Sequence, residues 1–525
     1  MEKKFFSIGW AAADVSTTDP VNLPGQFYMR ISQGVLDPIT ATALWISDGK
    51  DDVCFLSIDL VTPGQGLTDE VHAAVKARNA AIPVEKIVLN VTHTHAGPAF
   101  FTSNITTADG ELKGDVPVPT SIDFVDGLEY RKFLVNRLAD IVCEAYDKRA
   151  NGGIAYGYGL AVVAHSRRCL YHDDLSKRPG ATNNSTHGVN GHAAMYGSTA
   201  DAKFSGYEGG SDAFVNLLFT FDENKKLTGA IINVPCPSQN TEHSLKQTAS
   251  FWAETRAAIR KKFGNIYILS QAGAGGDLSP RQLHYYKAEE RRYMLKYAGE
   301  EERYAEEFRR RDIAERIATS FSEVYAWAKK DIINYAPIHH DVLDLKLSKR
   351  MITQEDYDLS CQRLKDLNEL SYEPEVEGED KIAIFNRNCR LNAERSRCKG
   401  VIARWKAQEE TDKYSTQSHV LSIGDIAFAS NQFELYVDFQ HRIQGRSPFV
   451  QTFIIQLSGV TGMGGGSYLA TKRGFLNRGY SASRYCNLVS WKGGNELVEK
   501  TVKALKKLWN KEHKGDEGIF FKPIR

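Results

Sequence analysis

Apolar residues in the first half of the chain fall into short runs separated by longer stretches of helical spacing. Val53–Asp59 and Lys86–Thr92 are compact, β-favouring runs, and both read as strands. Leu67–Ala80, between them, and Tyr130–Arg149, after them, read as helices. Leu217–Phe221 runs into Asp-Glu-Asn, a turn signal, so Leu227–Val234 is its predicted antiparallel partner. Ile266–Ser270 is a further strand that ends in Gly-rich Gln271–Arg281. Short strands alternating with helices predict an α/β fold, with mixed sheets and flanking helices. From Ala288 to Lys330, and again from Gln354 to Glu410, the sequence is charged and helix-favouring, with an acidic break at Glu373–Asp380. No heptad persists, so these read as a largely helical insertion at about 285–412 within a single domain spanning 1–525. Strand patterns return from Val420, and Glu496–Lys511 reads as a closing helix. Phe100–Asp123, rich in Gly, Pro, Thr and Ser, reads as a surface loop.

Charge narrows the possible partners. Lys and Arg total 66 against 65 Asp and Glu, a net charge of +1, so no basic field exists to attract nucleic acid. The start, MEKKFFSIGWAAADVSTTDP, makes a poor secretory signal because Asp14 and the polar residues after it cut the apolar stretch short. No run is long and apolar enough for membrane insertion. The eight cysteines show neither zinc-finger nor redox spacing, and reduced thiols in the cytoplasm are expected. The partner expected is a small-molecule substrate, and the sequence leaves oligomeric state open.

Four segments carry candidate chemistry. In Asn90–Pro98 (NVTHTHAGP), His93 and His95 are two apart at a strand end, where i and i+2 share a face. They can serve as metal ligands or as satisfied structural histidines. Gly275–Arg281 (GGDLSPR) follows a strand. It can bring Asp277 and Ser279 to a ligand, or form a turn with Ser279 as a helix N-cap. In Asn233–His243, Pro235 and Pro237 restrict Cys236, with Glu242 and His243 close behind. Such a thiol can be held for metal or catalysis, or be buried as a small hydrophobe. Glu434 interrupts the apolar stretch Ile426–Tyr436 and must be solvated, paired or metal-bound. Tyr468, after three glycines, and Tyr480 can present phenols to a site or simply pack.

Taken together and in this order, the segments resemble the neutral/alkaline, non-lysosomal ceramidase family. Ala12–Ser16 stands in place of an early family element, and Ser166-Arg-Arg168 is similar to an Asn-Arg element. The Asn90–Pro98 and Gly275–Arg281 motifs and the Glu434 and Tyr468 regions complete the resemblance. It implies a zinc amidase: Zn2+ held by His93, Glu434 and Tyr468, with His95 as proton shuttle. It also implies active-site roles for Arg167 (or Arg168, one step on) and Tyr480, and a polar contact through Ser279. The family's remaining ligand, a histidine, aligns with Cys236, whose thiolate would make zinc a weaker Lewis acid. His243 is the alternative ligand. The resemblance covers a ceramidase-like catalytic domain, and in a departure from the family no C-terminal Ig-like domain is expected, since the sequence ends soon after Tyr480. Its substrate is expected to be soluble, polar and cleaved at an N-acyl bond, with Phe100–Asp123 and His187–Glu208 as walls of the site. Three rival readings are a hydrolase with Cys236 as nucleophile, a non-amidase metalloenzyme acting on a sugar-like metabolite, and an inactive binding protein. The joint presence of the site residues argues against the last.

Overall fold

A computed structural model describes residues 4–101, 125–181, 189–297, 305–464 and 467–513. Its frame is an eight-stranded sheet ordered β12-β11-β10-β5-β1-β2-β3-β4. These strands are β1 (Phe6–Asp14), β2 (Thr40–Ser47), β3 (Asp52–Ile58), β4 (Ile87–Val91), β5 (Ala150–Leu160), β10 (Phe214–Asp222), β11 (Leu227–Val234) and β12 (Tyr267–Ala272). A second sheet of four strands is ordered β14 (Ile338–Ser348), β15 (Lys413–Ile423), β16 (Ile426–Ser430) and β18 (Gln451–Ile455). Three short pairings complete the set. They are β6 (His165–Ser166) with β13 (Leu278–Ser279), β17 (Glu434–Leu435) with β19 (Tyr468–Leu469), and β7 (Arg168–Tyr171) between β8 (Ala193–Met195) and β9 (Phe204–Tyr207).

Period-two alternation divides the core. Odd-numbered β1 residues such as Ala11 and Ala13 pack under the helices α1 (Leu67–Arg78) and α2 (Gly127–Asp147). The same face of β10–β12 is covered by α3 (Phe251–Phe263) and α5 (Ala305–Ala328), with α4 (Tyr286–Lys296) outside α5. The opposite face, through Ile8, Leu44, Phe55 and Leu269, meets Ile423, Phe428 and Phe453 of the second sheet. That sheet's back is closed by α8 (Val437–Gln444) and the amphipathic α10 (Trp491–Glu512). The large sheet also curls. The Ser57 hydroxyl donates to the Ser270 carbonyl, so β12 lies against β3.

The mixed α/β architecture agrees with the sequence pattern, including the antiparallel β10–β11 hairpin and the parallel β3–α1–β4 unit. The stretch expected to be largely helical holds α4, α5, α6 (Gln354–Asn368) and α7 (Lys381–Ala407), with the acidic break between α6 and α7. It also holds β14, an 11-residue strand paired along its whole length with β15. Ser279, considered as an N-cap, instead pairs with His165 in β13. A six-residue helix, α9 (Lys472–Asn477), follows β19. None of the described helices is long and apolar enough to cross a membrane.

Candidate active site

The segments leaving β4, β11, β12, β16 and β18 converge on one cavity of about 430 Å³. Carboxyl ends of strands are where α/β sheets commonly bind ligands. His93 and His95 enter from β4. Their neighbours anchor the segment: Thr92 Oγ1 donates to Asp59, itself held by Arg256 in a buried ion pair, and Thr94 Oγ1 donates to the Thr248 carbonyl. The strand ends at Val91, however, and His93 has φ 63°, so left-handed backbone rather than strand alternation turns the two rings together. His93, Tyr196 and Leu457 are three non-glycine residues with positive φ that line this cavity. Backbone strain of this kind gathers at functional sites.

His93 Nδ1 lies 2.5 Å from the Val61 carbonyl. A carbonyl only accepts, so Nδ1 carries the proton and the Nε2 lone pair faces the cavity. That Nε2 is 3.4 Å from Glu434 Oε2 and 3.4 Å from His95 Nε2. Glu434 and Tyr468 are partners in the parallel β17–β19 pairing, which sets the carboxylate beside the phenol. Burial would raise the Glu434 pKa, but His93 and Arg167 bring it below the usual carboxylate range.

Arg167 is almost wholly buried. It donates to Gln239 Oε1 (2.8 Å), the Gly276 carbonyl (2.9 Å) and Tyr196 OH (3.2 Å), and reaches Tyr468 OH at 3.4 Å and Glu434 at 3.6 Å. Burial works against its charge, but Tyr468, Tyr196 and Glu434 more than offset this. The β6–β13 pairing puts the arginine next to Gly276. Arg168 points the other way, into a buried ion pair with Glu208. Tyr480 lines the cavity edge-on to Tyr468 and Phe27, with ring centroids 5.9 and 5.6 Å away. Burial lowers the His95 pKa to about 4, so the imidazole is neutral at pH 7. Its Nδ1 is 3.3 Å from Glu242 Oε1, and Glu242 is in turn bound by Arg281 at 2.6 Å.

His93, His95, Arg167, Glu434, Tyr468 and Tyr480 therefore share the cavity. Ser279 stands one step behind it, accepting from Tyr196 OH at 3.3 Å and from the Arg281 backbone N–H at 3.1 Å. Asp277 accepts from Val437 N at the start of α8, a scaffold role. Cys236 does not line the cavity. It is fully buried in the apolar cluster with Val234, Trp252 and Leu278, its Sγ nearest the Val163 and Pro237 carbonyls at 3.4 and 3.5 Å. Burial raises its pKa more than Arg167 lowers it, so the thiol stays protonated and is not a ready metal ligand. The residue of this segment that does face the histidines is Gln239, 2.8 Å from His95 Nε2. His243 lines the outer cavity. Of the expected walls, Phe100 and Phe101 are described while 102–124 lie outside the described residues. Asn190, Met195 and Tyr196 line the cavity from the second wall, whose start at 187–188 is likewise outside.

Among the described residues, no group of three or more His, Cys, Asp and Glu side chains could hold a metal. What meets is one imidazole, one carboxylate and one phenol: His93, Glu434 and Tyr468. Two ligands each 2.1 Å from a tetrahedral ion lie about 3.4 Å apart, the His93–Glu434 separation. Those two donors have the spacing of a zinc ligand pair, and the Tyr468 phenol hydrogen-bonds Glu434.

No protein-family model matches the sequence, and no curated protein matches it. Solved structures do. Neutral ceramidase from Pseudomonas aeruginosa superposes with a TM-score of 0.64 over 97% of this chain and 75% of its own, at 15% identity. The chain has the neutral ceramidase fold. A structure described as ceramidase complexed with C2 gives a TM-score of 0.62 over 97% of this chain and 76% of its own, at 13% identity. Within the ceramidase fold, the site residues that the sequence did not single out are Gln239, Tyr196 and Arg281. Tyr196 sits between two guanidinium groups, with Arg167 and Arg281 5.7 and 5.9 Å from its ring centroid.

Proposed function

We propose that this protein is a zinc-dependent hydrolase of an amide (N-acyl) bond in a small, polar substrate. The observation that carries the proposal is the convergence of His93, Glu434, Tyr468, His95, Arg167 and Tyr480 on one cavity of a ceramidase-type fold. His93, Glu434 and Tyr468 would hold the zinc, which supplies a Lewis acid when bound. His93 is oriented for this by Val61, which fixes the proton on Nδ1. His95, neutral and buried beside His93, accepts a proton from the attacking water and returns it to the leaving amine. Arg167 and Tyr480 donate hydrogen bonds to the carbonyl oxygen as charge builds on it.

Polar groups at the cavity wall support a small, polar substrate. A cavity of about 430 Å³ suits a ligand of drug-like size, and Asn190, Tyr196 and Arg281 put hydrogen-bonding groups on its walls. Eight free thiols fit a reducing, cytoplasmic setting. The sugar-like metabolite remains the second reading, favoured by the same polar wall. A Cys236 nucleophile finds no support, because its protonated thiol faces backbone carbonyls. The test is a hydrolysis panel of N-acetyl amino sugars, N-acyl amino acids and a long-chain ceramide in detergent. Turnover of a small amide supports the proposal, and turnover of ceramide alone refutes the substrate assignment.

A further inference from the structure

Between His95 and Arg167 lies a residue with none of the chemistry of a ligand, acid or base. Gln239 follows two prolines at the end of β11, is 2% exposed and lines the cavity. Its Oε1 accepts from Arg167 Nη1 at 2.8 Å, and its Nε2 lies 2.8 Å from His95 Nε2. A guanidinium can only donate, so the amide atom facing Arg167 must be oxygen and the one facing His95 must be the NH2. That NH2 only donates, so His95 Nε2 is the acceptor and the ring proton sits on Nδ1, toward Glu242. The segment bearing the amide is fixed. Ser238 N donates to the Thr92 carbonyl at 3.2 Å, Ser238 Oγ to the Ala249 carbonyl at 3.2 Å, and Asn240 N to Ser250 Oγ at 3.3 Å.

We propose that Gln239 is a positioning residue that sets two active-site groups with one side chain. It selects the Nδ1–H tautomer of His95 by donating to the Nε2 lone pair, a bond that Nε2 gives up when it takes a proton, and it fixes the plane of the Arg167 guanidinium. The assignment of the tautomer is independent of the reaction, whereas its kinetic consequence rests on the amide-hydrolysis reading. Gln239→Glu separates the two tasks. A carboxylate still accepts from Arg167, but it presents an acceptor to His95 Nε2, which must then carry a proton. Gln239→Leu removes both contacts.

The test combines 15N-histidine NMR with kinetics on acetyl 4-nitroanilide, the His95 signals being assigned by their loss in His95→Gln. The wild-type protein is expected to show His95 protonated on Nδ1 alone, and Gln239→Glu to show a proton on Nε2. Both Gln239 variants should lose about 10²-fold in kcat with KM changed by less than about threefold, the pattern of a disturbed reacting geometry rather than lost binding. An Nε2–H tautomer in the wild-type protein overturns the proposal even if the leucine variant fails to fold. So does an unchanged tautomer in Gln239→Glu, or wild-type kcat in either variant. A wild-type protein inert on the anilide would count against the amide-hydrolysis reading, and the imidazole tautomers would still decide the role of Gln239.

Discussion

Replacing Arg168 by Met should cost stability, whereas replacing its neighbour Arg167 should cost turnover. Arg168 is fully buried. It forms a two-pronged pair with Glu208, Nε to Oε2 at 2.6 Å and Nη2 to Oε1 at 2.9 Å. Its remaining donors reach the Arg478 carbonyl at 2.6 Å and Ser481 Oγ at 3.2 Å, and so hold the loop that carries Tyr480. Glu208 is itself only 4% exposed, and its other polar partner, Asn477 Nδ2 at 3.0 Å, is neutral. Removing the guanidinium leaves a buried carboxylate without a counter-charge, which costs about 3–5 kcal/mol. Removing both charges together, as Arg168→Met with Glu208→Gln, leaves only lost hydrogen bonds and should recover at least half of that loss. Urea unfolding followed by tryptophan fluorescence measures both variants against wild type. An Arg168→Met midpoint equal to wild type, or a double variant less stable than the single one by the full cost of a second mutation, would mean that Arg168 does not compensate the buried Glu208 charge.

Three further outcomes follow from the same geometry. Arg167→Ala should lower kcat about 10²–10³-fold while the protein stays folded, and wild-type kinetics would exclude a role at the carbonyl oxygen. Cys236→Ala should leave zinc content and turnover within about twofold of wild type, since the thiol lies outside the cavity; loss of zinc would place it back among the ligands. His340 is buried against His419 at 2.9 Å and its pKa is lowered, chiefly by burial, to about 4. The unfolded chain therefore takes up a proton near pH 6.5 that the native state refuses until about pH 4. Stability from this group is present above pH 6.5 and is lost as pH falls, by about 2 kcal/mol at pH 5. His340→Gln should flatten the urea midpoint between pH 7 and 5 relative to wild type, and identical slopes would contradict the assignment.

Strand and helix order was legible because its signals are local: apolar runs, helical periodicity and turn residues. The β14 strand was not, although Leu343, Leu345 and Leu347 alternate with polar residues, because the charged helices on both sides set the reading of the whole stretch. That His93, His95, Arg167, Glu434, Tyr468 and Tyr480 share one cavity was expected from the resemblance of their segments taken together, and from no residue by itself. The segment after β11 was not legible. Pro235 and Pro237 fix the backbone without showing which side chain turns inward, so the thiol drew attention while the amide three residues later took the place beside His95. Gln239 matters through its partners, Arg167 and His95, which lie 72 and 144 residues away in sequence, and no local pattern encodes such a contact.

Zinc content measured alongside turnover decides whether His93, Glu434 and Tyr468 hold a zinc ion that serves amide hydrolysis. Wild-type, His93→Ala and His95→Ala proteins would be purified, analysed by plasma mass spectrometry and assayed on N-acetylglucosamine and acetyl 4-nitroanilide. Wild type should carry about one zinc per chain, and His93→Ala should lose both metal and activity. His95→Ala should keep the metal and lose about 10²–10⁴ in turnover. Full activity in a wild-type protein stripped of zinc, or zinc retained undiminished by His93→Ala, would mean that these residues hold no catalytic zinc.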